Sequence, residues 1–237
     1  MKKLLILMGI LAAFGVPWAS ATVEVRIIDV VGGVAVGDTG WITSSGAIVS
    51  FSGAVGNYDI ATDTAVQHTS SNPILDMNYS ASTINSSNPG TIIIEAMADG
   101  YLQSTPEFQL IDNGNSGFNP GTYTDAAYGG NNNNICPAGT SACWDGVSNP
   151  APTGTGSALI AAGGPFVGNT TWAVNAYGPG NTTTPYSVGL IVTLANPTGM
   201  STMSGDIKLD AVPEPASIML LGGILLFTGS RLRRRVK

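Results

Sequence analysis

Between Thr22 and Val212 the chain has almost no positive charge. Arg26 and Lys208 are the only basic residues there, against fourteen acids, so this region carries −12 while the whole chain carries −6. Nucleic acids and anionic membranes are bound by lysines and arginines that displace counterions, so neither is an expected partner. Neutral glycans and divalent cations are the compatible contacts. Histidine is equally scarce. His68 stands alone in the polar stretch Gln67–Pro73, read as a solvated loop, and no Gly-x-Ser-x-Gly elbow marks a nucleophile for it. Two cysteines and one histidine cannot supply the four ligands of a zinc site. No two of the fourteen acids are singled out as a glycosidase pair, so no catalytic residue is nominated and an enzyme is not expected. The region also lacks a 3.6-residue apolar period and any internal repeat, which excludes a helical domain, a solenoid and a propeller.

What is present is a two-residue period broken by turns rich in Gly, Ser, Thr and Asn. Tyr186, Val188, Leu190, Val192 and Leu194 alternate with smaller or polar residues, as do Met203, Ile207, Leu209 and Ala211. With Asn196-Pro197-Thr198-Gly199 between them, they read as an antiparallel pair. Val23–Ile27, Ala47–Phe51, Leu75–Tyr79 and Trp172–Ala176 read as further strands. Thr91–Met97 reads as a buried strand, with Asp99-Gly100 as a hairpin turn returning along Glu107–Ile111. Eight to ten such strands predict an all-β fold, a single antiparallel β-sandwich. Asp112–Pro165, rich in Gly, Asn and Pro, reads as a long loop excursion from it.

That excursion holds the candidate chemistry. Cys136 and Cys143 form an even pair in a chain read below as exported, which predicts a disulfide closing the loop Pro137–Ala142. Closing so short a loop contributes at most about 2.5 kcal/mol. Trp144 follows directly, and an indole on a clipped loop is a candidate glycan contact, since its flat face complements sugar C–H groups. Trp41 and Trp172 are alternatives, with Trp172 in strand pattern and expected in the core. The run Asp112–Gly117 has acidic-loop character but no EF-hand spacing, with Gly114 at the third position and Tyr123 at the twelfth. A calcium site of another kind, built from loop carboxylates and carbonyls, is the only cofactor it offers; otherwise none is expected.

The two ends read as targeting segments. Lys2 and Lys3, the apolar run Leu4–Val16 and the small residues Ala19 and Ala21 make a signal peptide over residues 1–21, to be cut by signal peptidase after Sec export. At the other end, Val212-Pro213-Glu214-Pro215 precedes the apolar stretch Ala216–Gly229 and the basic cluster Arg231, Arg233, Arg234, Arg235 and Lys237. Fourteen residues reach only about 21 Å as a helix, short for a bilayer core of about 30 Å. The basic cluster would stop transfer on the cytoplasmic side. This tripartite tail, residues 212–237, resembles the PEP-CTERM sorting signal of Gram-negative bacteria. The resemblance implies an exosortase, a membrane-embedded cysteine transpeptidase-like enzyme, as the partner that cleaves near Pro-Glu-Pro. It implies a protein exported across the inner membrane, held there transiently by a C-terminal helix, then released to the cell surface or extracellular matrix. Residues 22–211 would be the exported domain, flanked by a signal helix and the hydrophobic tail helix. The expected role is structural or adhesive in an exopolysaccharide, biofilm or floc matrix. The alternative is a lectin-like carbohydrate-binding module, calcium-assisted or not.

Overall fold

The computed structural model describes residues 22–44, 47–69, 72–84, 90–101, 105, 107–118, 121–131, 157–168, 170–180, 186–195 and 199–212. The signal segment, Cys136, Cys143, Trp144 and the tail from Pro213 onward lie outside the described residues. Among the described residues no helix is long and apolar enough to cross a membrane.

Strands with one apolar face must pair edge to edge and bury that face against a second sheet. The chain does so with thirteen strands among the described residues. They are β1 (Val23–Val31), β2 (Val34–Asp38), β3 (Ile42–Ser44), β4 (Ile48–Val55), β5 (Tyr58–Thr69), β6 (Asn72–Thr83) and β7 (Thr91–Tyr101). There follow β8 (Glu107–Phe118), β9 (Thr122–Asn131), β10 (Ser157–Val167), β11 (Thr170–Pro179), β12 (Tyr186–Ala195) and β13 (Ser201–Val212). All pairings are antiparallel. Sheet A runs β10-β9-β12-β7-β1-β2, with β3 also on β1; sheet B runs β11-β8-β13-β6-β5-β4. Within this, β6-β13-β8-β11 faces β7-β12-β9-β10, the strand order of a jelly roll. The first five strands widen it, β1 to β3 on sheet A and β4 and β5 on sheet B.

The core lies between the sheets. Ile27, Ile94, Leu190 and Val192 of sheet A meet Ile60, Met77, Leu110 and Ile207 of sheet B, all nearly or fully inaccessible. Burying each such side chain contributes about 1.5–3 kcal/mol. The central strand β7 is buried on both faces. Its outward Ile93 and Met97 pack with Ile191, Val30, Tyr128 and the half-buried Trp41.

Several expectations of connectivity need correction, and the jelly roll is the common reason. The strands around Asn196–Gly199 both form, but β12 lies in sheet A and β13 in sheet B, so they face each other across the core and do not pair. Asp99-Gly100 does not turn a hairpin. Tyr101 faces Tyr186 and Ala98 faces Val188, so Asp99 and Gly100 together oppose Ser187 in a β-bulge, with Gly100 at φ +82°. The strand expected to return, at Glu107–Ile111, opens β8 in the other sheet. The excursion from Asp112 to Pro165 shrinks as well: β8 continues through Phe118, and β9 and β10 follow. Within that span, residues 119–120 and 132–156 lie outside the described residues. His68 belongs to β5, opposite Pro73, and not to a loop.

Candidate functional site

The pleat sends every second residue of sheet B outward. On β8 these include Asn113 and Asn115, on β13 Ser204 and Asp206, and on β6 Asn78 and Ser80. Strand register lines them into rows that cross the strands: Asn113–Asp206–Asn78, then Asn115–Ser204–Ser80. The rows floor a cleft of about 720 Å³ that continues past Ala61 on β5 to Ser50, Phe51 and Ser52 on β4. Its polar groups are mostly neutral amides and hydroxyls, and each asparagine offers both donors and an acceptor. Toward the β11 edge, Gln109 Nε2 donates to Asn175 Oδ1 and to the Tyr177 hydroxyl, both at 2.9 Å. These bonds hold the Tyr177 ring on the surface, 55% exposed.

One row away from the cleft floor, Lys208 stands between Ile111 and Asp76 and binds Asp210 at 3.0 Å. Burial, together with the hydrogen bond to Asp206 and its charge, pushes the Asp76 carboxyl up to about 6, against the pull of Lys208.

Beneath the floor, Gly114 and Gly205 are register neighbours, with Trp172 beside the first and Tyr79 beside the second. The missing side chains let both aromatic groups lie against the sheet. A Cβ on Gly114 would run into the Trp172 ring, and one on Gly205 into the Tyr79 hydroxyl. Gly114→Ala should therefore destabilise the protein by about 1–3 kcal/mol, read as a fall in the thermal midpoint. An unchanged midpoint would mean that the ring does not need this space.

The rings continue the stack into sheet A. Tyr123 lies 3.9 Å from Trp172, centroid to centroid, and Phe166 5.7 Å from it. At their centre is Asp112, fully buried. Its Oδ2 accepts from Tyr123 Oη at 2.6 Å and Trp172 Nε1 at 2.7 Å, and its Oδ1 from Tyr79 Oη at 3.3 Å. The two tyrosine hydroxyls are 2.7 Å apart. Asp125, also buried, faces Asp112 from β9. Burial first, then the charge of Asp112 and the hydrogen bond to it, push Asp125 up to about 8. Burial also raises Asp112, opposed by hydrogen bonds from Tyr123, Asp125, Trp172 and Tyr79. Both carboxyls are thus pushed toward the protonated form, chiefly by burial. This network ties the two sheets together directly under the cleft.

The expected residues fall into three groups. Trp172 is in the core, as its strand pattern predicts, and serves as a ring beneath the floor. Asp112 is not part of a calcium loop: Asp112–Gly117 is strand β8, with Asp112 committed to the interior and Asn113 and Asn115 facing out. Among the described residues, no group of three or more His, Cys, Asp or Glu is arranged to hold a metal ion. Trp144 and the two cysteines lie outside the described residues. Sequence reasoning missed the outward Asn residues, Tyr177 and the Asp112–Asp125 pair. The alternations Phe108-Leu110-Asp112 and Tyr123-Asp125-Ala127 carried the signal for that pair.

The fold and site define a two-sheet antiparallel β-sandwich with a polar cleft across one outer face. No protein-family model and no curated protein sequence matches this chain. Solved structures similar to it include the enzymatically active domain of tailspike protein 4 of bacteriophage CBA120, at 11% identity and a TM-score of 0.31 over 66% of this chain. This chain spans 20% of that one. The N-terminal cellulose-binding domain of a Cellulomonas fimi β-1,4-glucanase aligns at 13% identity and a TM-score of 0.34, covering 71% of this chain and 90% of that one. The module TmCBM61, solved with β-1,4-galactotriose, aligns at 9% identity and a TM-score of 0.32, covering 70% and 87%. Likenesses this distant say nothing of what this chain binds.

Proposed function

We propose that this chain is an exported protein that binds neutral polysaccharide along the outer face of sheet B. The observation that carries the reading is the cleft itself: two rows of amides and hydroxyls crossing the strands, with the tethered Tyr177 exposed on the same outer face toward the β11 edge. A polyhydroxylated chain needs many paired donors and acceptors and an aromatic face for its C–H groups, and this surface supplies both. The charge of −12 between Thr22 and Val212 repels anionic polymers and leaves neutral ones. Export rests on the signal-like segment 1–21, and exosortase sorting on the tail 212–237, which together direct the domain to a surface or matrix rich in exopolysaccharide.

Retention of the full chain on insoluble or soluble neutral polysaccharides tests the reading. Replacing Asn113 and Asn115 together with Ala should weaken binding about tenfold, from two lost hydrogen bonds, with the thermal midpoint unchanged. Tyr177→Ala should weaken it comparably. Binding that survives both changes but is lost with Trp144→Ala would move the site off sheet B. No binding to any neutral polysaccharide would leave the structural or adhesive role.

A further inference from the structure

Thr22 is the residue immediately after the expected signal-peptidase cut, and its backbone nitrogen has an unusual partner. Its N–H donates to Asp99 Oδ1 at 3.0 Å, while its carbonyl accepts from the Asp99 N–H at 3.3 Å. Asp99 is presented by the β7 bulge, next to Gly100, and the register of β1 on β7 brings it level with Thr22. A side-chain carboxylate therefore caps the backbone nitrogen just before β1.

We infer that Asp99 is the counter-ion of the α-ammonium group created when the chain is cut between Ala21 and Thr22. Hydrolysis breaks the Ala21–Thr22 C–N bond; water supplies the hydroxyl of the new Ala21 carboxylate, and the Thr22 nitrogen gains protons to become ammonium. The atom that donated as a neutral amide then donates as a cation, and the contact becomes a charge-assisted pair. The local charge supports this. Glu24 of β1 is raised by burial and by the negative charge of Asp99, and Tyr101 of β7 also feels that charge. The two basic side chains between Thr22 and Val212 are engaged elsewhere, Arg26 with Asp38 and Lys208 with Asp210. Before the cut, Glu24 feels Asp99 as a like charge; the new terminus adds a cation at the Asp99 carboxylate. The inference rests on the export reading of residues 1–21 and not on the glycan reading of the cleft.

The test starts from the full chain expressed in an exporting Gram-negative host, with its first residue determined by mass and N-terminal sequencing. The α-amine is then titrated through its rate of reaction with an amine reagent against pH. An ordinary α-amine titrates near about 8. In the folded product it should titrate about one unit higher, so that labelling at pH 7 is about tenfold slower than in Asp99→Asn. The wild-type product unfolded in urea gives the same reference if that variant does not fold. Equal labelling of folded and unfolded product, or of wild type and Asp99→Asn, would overturn the inference. A first residue other than Thr22, or no cut at all, would overturn it too, and the mass would show that export processing had failed. Polysaccharide retention, measured on the same material, reports separately on the cleft.

Discussion

Asp112→Ala should destabilise the protein by about 3–5 kcal/mol, the cost of removing one member of a buried, hydrogen-bonded charged network. For a chain of this size that is a fall in the thermal midpoint of roughly 10 °C or more. The loss does not come from the carboxylate's own burial, which is unfavourable. It comes from what the carboxylate satisfies. Trp172 Nε1 and Tyr123 Oη both donate to Asp112 Oδ2, in a buried site. Each buried donor left without an acceptor costs about 1–3 kcal/mol. One tyrosine hydroxyl can donate to the other, since Tyr79 and Tyr123 already lie 2.7 Å apart, which leaves a single O–H without an acceptor. The indole N–H has no such recourse. Asp112→Asn keeps an acceptor for the indole and should cost less than half as much. Differential scanning calorimetry of both variants checks this, and equal losses would mean that charge, and not the acceptor, holds the network.

This network also marks where sequence reading ran out. A two-residue period reports that a strand has a buried face, and it located β7, β11, β12 and β13 for that reason. It does not report which strand lies beside which. In a jelly roll most consecutive strands cross to the opposite sheet, so the turn at Asn196–Gly199 was legible while the pairing inferred from it was not. The polar run Asp112–Gly117 misled for a different reason. Asp112 and Ser116 continue the inward alternation of Phe108 and Leu110, but as polar residues they broke the apolar pattern. Gly114 is required there by the Trp172 ring, some sixty residues away, and Asn113 and Asn115 face the cleft. Glycine and asparagine therefore signalled a turn where tertiary packing required a strand. The rows of the cleft floor exist only through the register of β6, β13 and β8, which lie far apart in sequence. The individual asparagines were visible; their juxtaposition was not.

Stability should fall as pH rises from about 4 to about 8, the reverse of a protein held by salt-bridged carboxylates. The sign follows from Asp125. In the folded chain burial and the adjacent Asp112 push it up to about 8, against an ordinary value of 3.8. Between those values the native state holds a proton that the unfolded chain has released. Each such proton lowers the unfolding free energy by about 1.4 kcal/mol per pH unit. The contribution is complete below pH 4, is lost progressively toward pH 8 and is flat beyond it, on the order of 6 kcal/mol in all. Glu24, Asp29 and Asp76 are also raised, each chiefly by burial, and act in the same direction. Asp38 acts oppositely. Its hydrogen bond from Arg26 lowers it, and that contribution is lost as pH falls below its ordinary range. One lowered carboxylate against five raised ones leaves the acid side favoured. Asp125→Asn separates the pair from the rest, because its amide can donate to Asp112 without titrating. Urea unfolding at pH 5, 6, 7 and 8 should show a steep decline for the wild type and a much flatter one for Asp125→Asn. A wild-type stability that rises over this interval, or a variant with the same slope, would show that the proton is not held on Asp125.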